Sequence, residues 1–237
     1  IVCELNGVLA DYELPDPNVE MDYSLSEIID RFLNVHSSGF GIILLGGVFR
    51  SVLSEFNPVK LSIYLQGTTG TYKSALAGCY QSFFGKDFIY AHLPENWSST
   101  GNAIEKKGFL AKDVLFVVDD FVARGSQSEV SRLHHAAERV LRSQGNQSGR
   151  DRLTSQSEIK GAYHPRGLIL ATGEDTPNGH SLQARLVLLS IERGQINTEI
   201  LSSLQSHGQR GNLAHIMSQF IKWVAKQAYD GKINMLI

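Results

Sequence analysis

The sequence predicts an α/β fold in which a mostly parallel central sheet is flanked by helices. Five short apolar runs have the length and the β-branched and aromatic content of buried strands, at 61–66, 88–93, 114–120, 167–172 and 185–191. Segments of helical length separate these runs, and that alternation is typical of parallel strands joined by crossover helices. A chain of 237 residues with 42% apolar residues can bury such a core in one large domain or two small ones.

Two helices are expected ahead of the first strand. Ser24, followed three residues later by Glu27 and then by spaced apolar residues, is a capping-box start that predicts a helix over 24–35. A second apolar stretch, 40–53, has helical spacing, and Pro58 ends it. The predicted organisation is a small helical N-terminal region followed by a core that carries a C-terminal helix, at 1–57 and 58–237.

The connections between the later strands differ in character. Helical spacing predicts helices at 101–111 and 126–144, and spaced apolar residues after Leu213 predict an amphipathic C-terminal helix. The segment 145–165 is polar and contains glycine, which predicts a long loop or a small hairpin. Loops of that length inside a compact domain usually serve a function.

Composition narrows the possible partners and compartments. The net charge is −2, so a nucleic acid would have to meet a local basic patch. The apolar stretch 41–49 is much shorter than the ~20 residues of a membrane-spanning helix. Cys3 and Cys79 are far apart and lack CxxC spacing, which argues against a disulfide framework or a zinc site and favours a reducing cytoplasm. Because the chain opens on Ile1 without a leader-like segment, we expect a piece of a longer cytoplasmic polypeptide.

A glycine-rich motif directly follows the first predicted strand. GTTGTYKS at 67–74 has the spacing of the phosphate-binding loop, G-x-x-x-x-G-K-[ST], and a predicted helix follows it. That chemistry uses backbone N–H groups around a phosphate, a lysine on the β and γ oxygens and a hydroxyl on Mg²⁺. Tyr72 stands in place of the usual second glycine, and an ordinary glycine turn before a helix is the alternative. The residues expected to bind ATP are Gly67, Thr68, Thr69, Gly70, Thr71, Tyr72, Lys73, Ser74 and Ala75.

The third predicted strand, VLFVVDD, ends in Asp119 and Asp120. We expect Asp119 to hold Mg²⁺ through water together with Ser74, and Asp120 to act as general base or to orient the attacking water. A set of hard oxygen ligands favours Mg²⁺ over transition metals. The alternative is a solvated strand end with a turn aspartate.

Through these motifs, the chain resembles AAA+-like P-loop ATPases, known mainly as a domain of unknown function in primase-helicase proteins of phages, plasmids and chromosomal cassettes. The resemblance runs from about residue 60 to 225 and includes GTTGTYKSALA, KDVLFVVDDF, GNQSGRDR and PRGLILATGEDTPNGHSLQARLVLLSI. It implies a P-loop NTPase fold of the additional-strand type. It also implies that Thr172 is the polar sensor of the γ-phosphate or attacking water, and that Arg185 is a sensor or arginine finger. Further finger candidates are Arg150, Arg152 and Arg193.

A local excess of basic residues lies between residues 124 and 166, where eight basic and four acidic side chains give +4. Such a patch suits a phosphate backbone, and Arg150 and Arg152 are the expected DNA contacts. Arg132, Arg139 and Arg142 recur at helical spacing as one positive stripe, for which a solvated helix face is the alternative.

The expected activity is therefore Mg²⁺-dependent ATP hydrolysis. The resemblance implies a ring, hexameric, that moves on single-stranded or forked DNA during replication of a mobile element. Two alternatives stay open: an ATP-binding switch or scaffold with little turnover, for which Tyr72 argues, and a small-molecule kinase, which usually lacks the acidic strand end followed by a sensor strand. Trp97 either stacks on a base or, more commonly for a lone tryptophan, packs.

Overall fold

The structure is a computed structural model that describes residues 6–149, 152–153, 159–160 and 163–233. The α-helices of this part are α1 (Leu25–Asn34), α2 (Gly41–Val52), α3 (Lys73–Gln81), α4 (Gly101–Leu110), α5 (Gln127–Asn146), α6 (His180–Gln183), α7 (Thr198–Gln209) and α8 (Asn212–Tyr229). Its strands are β1 (Ser62–Gln66), β2 (Glu95–Asn96), β3 (Leu115–Phe121), β4 (Arg152–Leu153), β5 (Ile159–Lys160), β6 (Leu168–Gly173) and β7 (Leu186–Ser190). Short 3₁₀ helices cover Gly7–Asp11 and Ser82–Phe84.

Five strands form one parallel sheet in the order β2, β3, β6, β1, β7. Strand β6 lies between β1 and β3, with Leu65 opposite Thr172 and Val118 opposite Ala171. It is therefore an additional strand between the one that leads into the glycine-rich loop and the one that ends in two aspartates. Within the segment 145–165, β4 and β5 pair antiparallel, with Arg152 opposite Lys160. The parallel α/β fold expected from the sequence is confirmed.

Helices cover both faces of the sheet. Because successive side chains of a strand point to opposite faces, the strands contribute to two cores. One core contains Ile63, Leu65, Val117, Leu170 and Leu189 and is covered by α1, α2, α3, α7 and α8. The other contains Tyr64, Phe116, Val118, Ile169 and Ala171 and is covered by α4 and α5. Burial of a large aliphatic or aromatic side chain contributes about 1.5–3 kcal/mol. The continuous apolar character of β1, β6 and the first four residues of β3 follows from their having no solvent-facing side.

Helices α1 and α2 pack on the first of these cores. The Ser24 hydroxyl accepts the Glu27 N–H at 3.4 Å, which is the predicted helix start. Phe32 is fully buried, and its ring lies 4.8 Å from that of Tyr80 in α3. The two N-terminal helices thus share a core with the sheet, and the division of the chain at residue 57 stays a prediction.

The prediction of a strand at 88–93 is wrong. Ile89 and His92 form only an isolated antiparallel bridge, and the strand that pairs with β3 is Glu95–Asn96. The segment instead crosses α3, where a β-carbon at Gly78 would lie 3.0 Å from the Tyr90 nitrogen. Close packing of its backbone against a helix keeps the segment out of the sheet.

The C-terminal region contains two helices, of which the sequence analysis predicted only α8. Helix α7 begins where the Asn197 side chain accepts the N–H groups of Glu199 and Ile200, both at 3.1 Å. This N-cap, followed by an acidic residue in the first turn, was readable in the sequence. Within the described ranges, none of the helices combines the length and apolar character needed to cross a membrane.

Helix α5 runs the length of the sheet. At its start Ser126 and Glu129 form a full capping box, in which the Ser126 N–H donates to the Glu129 carboxylate at 2.8 Å. Near its end the Gln144 side chain donates to the carbonyls of Val59, at 3.1 Å, and Gly167, at 2.6 Å. Both carbonyls precede strands, so α5 begins at the carboxyl edge of the sheet and ends at its amino edge.

Candidate functional site

The loop between β1 and α3, residues 67–72, lies at the carboxyl edge of the sheet. A β-carbon at Gly67 would lie 2.6 Å from both the Ile191 carbonyl oxygen and Thr71 Oγ1, so only glycine fits there. The Gly67 N–H donates to the Gly173 carbonyl at 3.1 Å, and the Thr71 hydroxyl donates to the Thr68 carbonyl at 2.9 Å. These contacts close the loop tightly against β6 and β7.

Tyr72 adopts a left-handed backbone at the position where the motif usually has glycine. Its φ is 63°, and that of Gly70 is 86°. The tyrosine side chain is 51% exposed. Its backbone thus takes a conformation that glycine adopts without cost, while the ring points outward.

This conformation can be tested through stability. A residue with a β-carbon loses roughly 1–2 kcal/mol of folding free energy in the left-handed conformation, and glycine avoids this loss. Glycine also makes the unfolded chain more flexible, which cancels part of the gain in stability. We expect Tyr72→Gly to exceed Tyr72→Ala in unfolding free energy by about 1 kcal/mol in urea titrations. The alanine variant is the matched control, because both substitutions remove the same ring. Equal stability of the two variants would contradict the left-handed backbone.

Lys73 is the first residue of α3 and is only 8% exposed. Its Nζ donates to the Thr68 carbonyl at 3.2 Å, so the ammonium group lies across the loop. The first N–H groups of a helix have no intrahelical partner and carry a positive partial charge. Lysine, helix terminus and loop together can hold a phosphate group.

Ser74, Asp119 and Thr172 come together beside the loop. The Ser74 hydroxyl donates to Asp119 Oδ1 at 2.8 Å, and the Thr172 hydroxyl donates to the same oxygen. The Ser74 hydroxyl and the Asp119 carboxylate are hard oxygen ligands, and these donors fit Mg²⁺. Among the described residues, His, Cys, Asp and Glu side chains form no cluster of three or more that could hold a metal alone. A cation here would therefore take part of its coordination from other oxygen atoms, such as those of water or phosphate.

Asp120 differs from Asp119 in backbone and exposure. Its φ is 65°, at a register shift between Val118 and Phe121 where β3 leaves regular pairing with β6. The Asp120 N–H donates to Thr172 Oγ1 at 3.1 Å, whereas the Asp120 side chain is exposed. The irregularity directs the two neighbouring aspartates to different surroundings, so that one faces Ser74 and the other faces solvent.

Glu174 is a residue of this edge that the sequence analysis missed. The Thr69 hydroxyl donates to Glu174 Oε1, and Arg124 donates to Oε2 at 2.5 Å. Glu174 directly follows Gly173, where a β-carbon would lie 2.1 Å from the Tyr64 hydroxyl oxygen. No sequence signal marks this contact, because Thr69 lies far away along the chain.

The two arginines near β7 lie at opposite edges of the sheet. Arg185 precedes β7, and its backbone carbonyl accepts the N–H of Ser62 at 3.0 Å. It therefore lies at the amino edge of the sheet, and the length of a strand, roughly 15 Å, separates it from the glycine-rich loop. Its guanidinium donates to Ser181 Oγ at 2.9 Å and to Asn146 Oδ1 at 3.0 Å. Arg193 follows β7 and donates to the Thr69 carbonyl at 3.4 Å. The structure thus brings Arg193, and not Arg185, to the loop of the same chain.

The arginine stripe on α5 lines a cleft of about 1090 Å³ between α4 and α5, together with Arg124. Arg139 pairs with the buried Glu105 at 3.0 Å, and Arg142 pairs with Glu138 at 2.8 Å. Carboxylates therefore already neutralise two of the three predicted cations, while Arg132 is the third member. For the predicted DNA contacts, Arg150 lies outside the described residues, and of Arg152 only the backbone, in β4, is described.

The Arg139–Glu105 pair gives a second stability prediction. Removal of one partner of a buried ion pair typically costs 3–5 kcal/mol, because the other charge is left in a poorly solvated position. Glu105 is 1% exposed but Arg139 is 34% exposed, so the pair is only partly buried, and we expect Arg139→Ala to lower the unfolding free energy by about 2 kcal/mol in urea titrations. Arg142→Ala, which breaks an exposed i,i+4 pair, is the control and should cost about 0.5 kcal/mol or less. Similar losses in both variants would mean that the Glu105 pair carries no special weight.

Two isolated side chains are also placed. Trp97 is 1% exposed and meets the Phe121 ring edge-on at 5.8 Å, so it packs and does not offer a stacking face. Cys79 is a free, buried cysteine, and burial raises the pKa of its thiol to about 12, as expected of an unreactive core thiol. Cys3 lies outside the described residues.

Comparisons with known proteins support the fold. No protein-family model matches the chain. No curated protein sequence matches it either. Among solved structures, the active helicase Cch of SCCmec type IV is similar, with a TM-score of 0.56 and 14% identity over 88% of this chain and 38% of that one. At this identity the likeness shows the fold alone, and it fits a P-loop NTPase.

Two other solved structures are more distant. The C-terminal region of NrS-1 has a TM-score of 0.46 and 12% identity, over 85% of this chain and 47% of that one. JCV helicase has a TM-score of 0.41 and 15% identity, over 84% of this chain and 52% of that one. Both scores are too low to carry an argument. The chain spans little more than half, or less, of each of these proteins.

Proposed function

We propose that this chain is a Mg²⁺-dependent ATPase and the motor domain of a ring-forming DNA helicase or primase-helicase of a mobile genetic element. The observation that carries the proposal is the meeting of Ser74 and Thr172 on one oxygen of Asp119, beside a lysine-bearing loop. Three sequence motifs that are far apart along the chain thus contribute to one site. An ordinary glycine turn or a solvated strand end would not be expected to bring these three side chains together.

The proposed chemistry is mostly positioning and electrostatics. The loop 67–72, the first turn of α3 and Lys73 bind the phosphates, and Ser74 and Asp119 hold Mg²⁺, which when bound neutralises charge on the phosphate oxygens. Asp120 orients the attacking water and takes its proton, because its exposed carboxylate is free of the Ser74 contact. Thr172 fixes the position of Asp119 relative to Asp120 through its two hydrogen bonds.

The larger setting of the reaction is part of the same proposal. The partners are ATP, single-stranded or forked DNA and further copies of this chain in a hexameric ring, in the cytoplasm and not on a membrane. An arginine from a neighbouring copy, Arg185, stabilises the transition state. Arg150 and Arg152 contact the DNA backbone.

The experiment that tests the activity compares the intact chain with Asp120→Asn. The asparagine can still hydrogen-bond water but cannot accept its proton, so we expect Mg²⁺ and ATP binding to persist while hydrolysis falls by about 100-fold or more. Phosphate release with and without single-stranded DNA measures the activity, and calorimetric titration measures binding. Loss of nucleotide binding in the variant would show that the roles of Asp119 and Asp120 are reversed.

A second candidate function is an ATP-binding switch with little turnover. Tyr72 favours it, because a residue with a β-carbon at φ 63° restricts how the loop can adjust around phosphates. The same assay separates the two functions, since a switch binds ATP tightly but releases phosphate slowly whether or not DNA is present.

A further inference from the structure

Glu174 carries an unusual combination of contacts for a site that binds phosphates. One carboxylate oxygen accepts the Thr69 hydroxyl of the loop, and the other accepts Arg124. The Glu174 side chain is 14% exposed, and its backbone N–H donates to the Phe121 carbonyl at 3.0 Å. The Thr69 hydroxyl and the Arg124 guanidinium therefore hold the carboxylate, and the hydrogen bond to Phe121 holds the Glu174 backbone.

This carboxylate is charged at neutral pH. The Thr69 hydroxyl, and then the positive charges of Arg124 and Lys73, lower the pKa of Glu174 below its usual value. The charge of Lys73 acts on Glu174, and this lysine is the group expected to reach the β and γ oxygens of a nucleotide. A fixed negative charge thus lies where further negative charge is expected to arrive.

Like charges at short range in a partly buried site repel strongly. A triphosphate in the loop would approach both Thr69 and Lys73, and the carboxylate of Glu174 would oppose it for as long as it stays on Thr69. Arg124 offers an existing alternative partner, and its guanidinium is 73% exposed and so has room to follow the carboxylate. The least costly adjustment is for Glu174 to release Thr69 and keep Arg124.

We propose that Glu174 is a phosphate-sensing latch: it joins Thr69 of the loop to Arg124, and it releases Thr69 while keeping Arg124 when a nucleoside triphosphate binds. The inference rests on the proposed function and specifies how the same site distinguishes its ligands. Because the γ-phosphate brings the additional charge, the latch opposes triphosphate more than diphosphate. Arg124 lies two residues before the capping box of α5, so the latch also connects the loop to that helix.

The test is equilibrium binding of a Mg²⁺ complex of a non-hydrolysable ATP analogue and of Mg²⁺-ADP by calorimetry. Glu174→Gln removes the charge but keeps the size and an acceptor for Thr69. We expect its affinity for the triphosphate to rise on the order of tenfold, and its affinity for ADP to rise much less. Glu192→Gln, an exposed carboxylate after β7, is the matched control and should change neither affinity.

A second variant separates a latch from a merely structural contact. Arg124→Ala leaves Glu174 without its alternative partner, so triphosphate affinity should fall, and the double variant with Glu174→Gln should regain the affinity of Glu174→Gln alone. An unchanged ratio of triphosphate to ADP affinity in Glu174→Gln, or a loss of both affinities, would overturn the latch while the proposed function stands. If the unmodified chain binds neither nucleotide, the proposed function fails first and the latch fails with it.

Discussion

Replacing Lys73 with alanine is expected to lower the rate of ATP hydrolysis by about 100-fold or more. The ammonium group lies across the loop on the Thr68 carbonyl, at the start of α3. From there it can stabilise the negative charge that develops on the phosphate oxygens. Alanine keeps the helix and removes the charge together with the contact to the Thr68 carbonyl. Phosphate release at saturating ATP measures the rate, and calorimetry shows whether affinity falls with it.

The control is Lys60→Ala, an exposed lysine before β1 at the opposite edge of the sheet. It should hydrolyse ATP at the unmodified rate. Urea titration of both variants shows whether either substitution disturbs the fold. Unchanged turnover in a folded Lys73→Ala protein would remove the phosphate-binding role of the loop.

Arg185→Ala is expected to lower hydrolysis by roughly 10³-fold, the scale of an arginine finger. Arg185 lies at the amino edge of the sheet, away from the loop of its own chain, so its action requires a neighbouring copy. Arg185→Ala subunits mixed with Lys73→Ala subunits should therefore regain activity wherever an intact arginine meets an intact loop. With equal and random mixing, about one interface in four has that combination, which sets the expected recovery.

The same mixing experiment with Arg193→Ala provides the control. Arg193 contacts the Thr69 carbonyl of its own chain, so any role that it has at the loop is within one subunit, and mixing with Lys73→Ala should restore nothing. Equal recovery in both mixtures would show that the structure does not distinguish the two arginines. If Arg185→Ala alone hydrolyses ATP at the unmodified rate, the finger has to be sought among Arg150, Arg152 and Arg193.

The sheet was predictable where burial dictates composition. Strands β1 and β6 and the first four residues of β3 are apolar because helices cover both faces, and β1 leads directly into the glycine-rich motif. Strand β7 is apolar up to Ser190, although it lies at the edge of the sheet and Leu188 is 48% exposed. Strand β2 has no such signal, since it consists only of Glu95 and Asn96. The Glu95 side chain is buried, and Lys107 at 2.9 Å and Ser99 at 2.7 Å hold it in place.

The site was predictable only as far as short motifs reach. Spacing predicted Lys73, Ser74 and the two aspartates as site residues, but a left-handed backbone at Asp120 is a consequence of strand pairing and has no sequence signature. The Thr69–Glu174 contact depends on the fold bringing two loops together. Charge spacing likewise indicated a positive stripe on α5, although Glu105 and Glu138 lie where they neutralise part of it.

Helix α5 has a mechanical consequence for these two ends of the sheet. Its 20 residues span about 30 Å. Arg124 precedes its first turn, Asn146 at its last turn contacts Arg185, and Arg139 is held to α4 between them. A helix is stiff along its axis, so a tilt of about 4° around that anchor moves each end by about 1 Å in opposite senses. On the proposed function, a movement at the phosphate loop would therefore be passed along α5 to Arg185 at the opposite edge of the sheet.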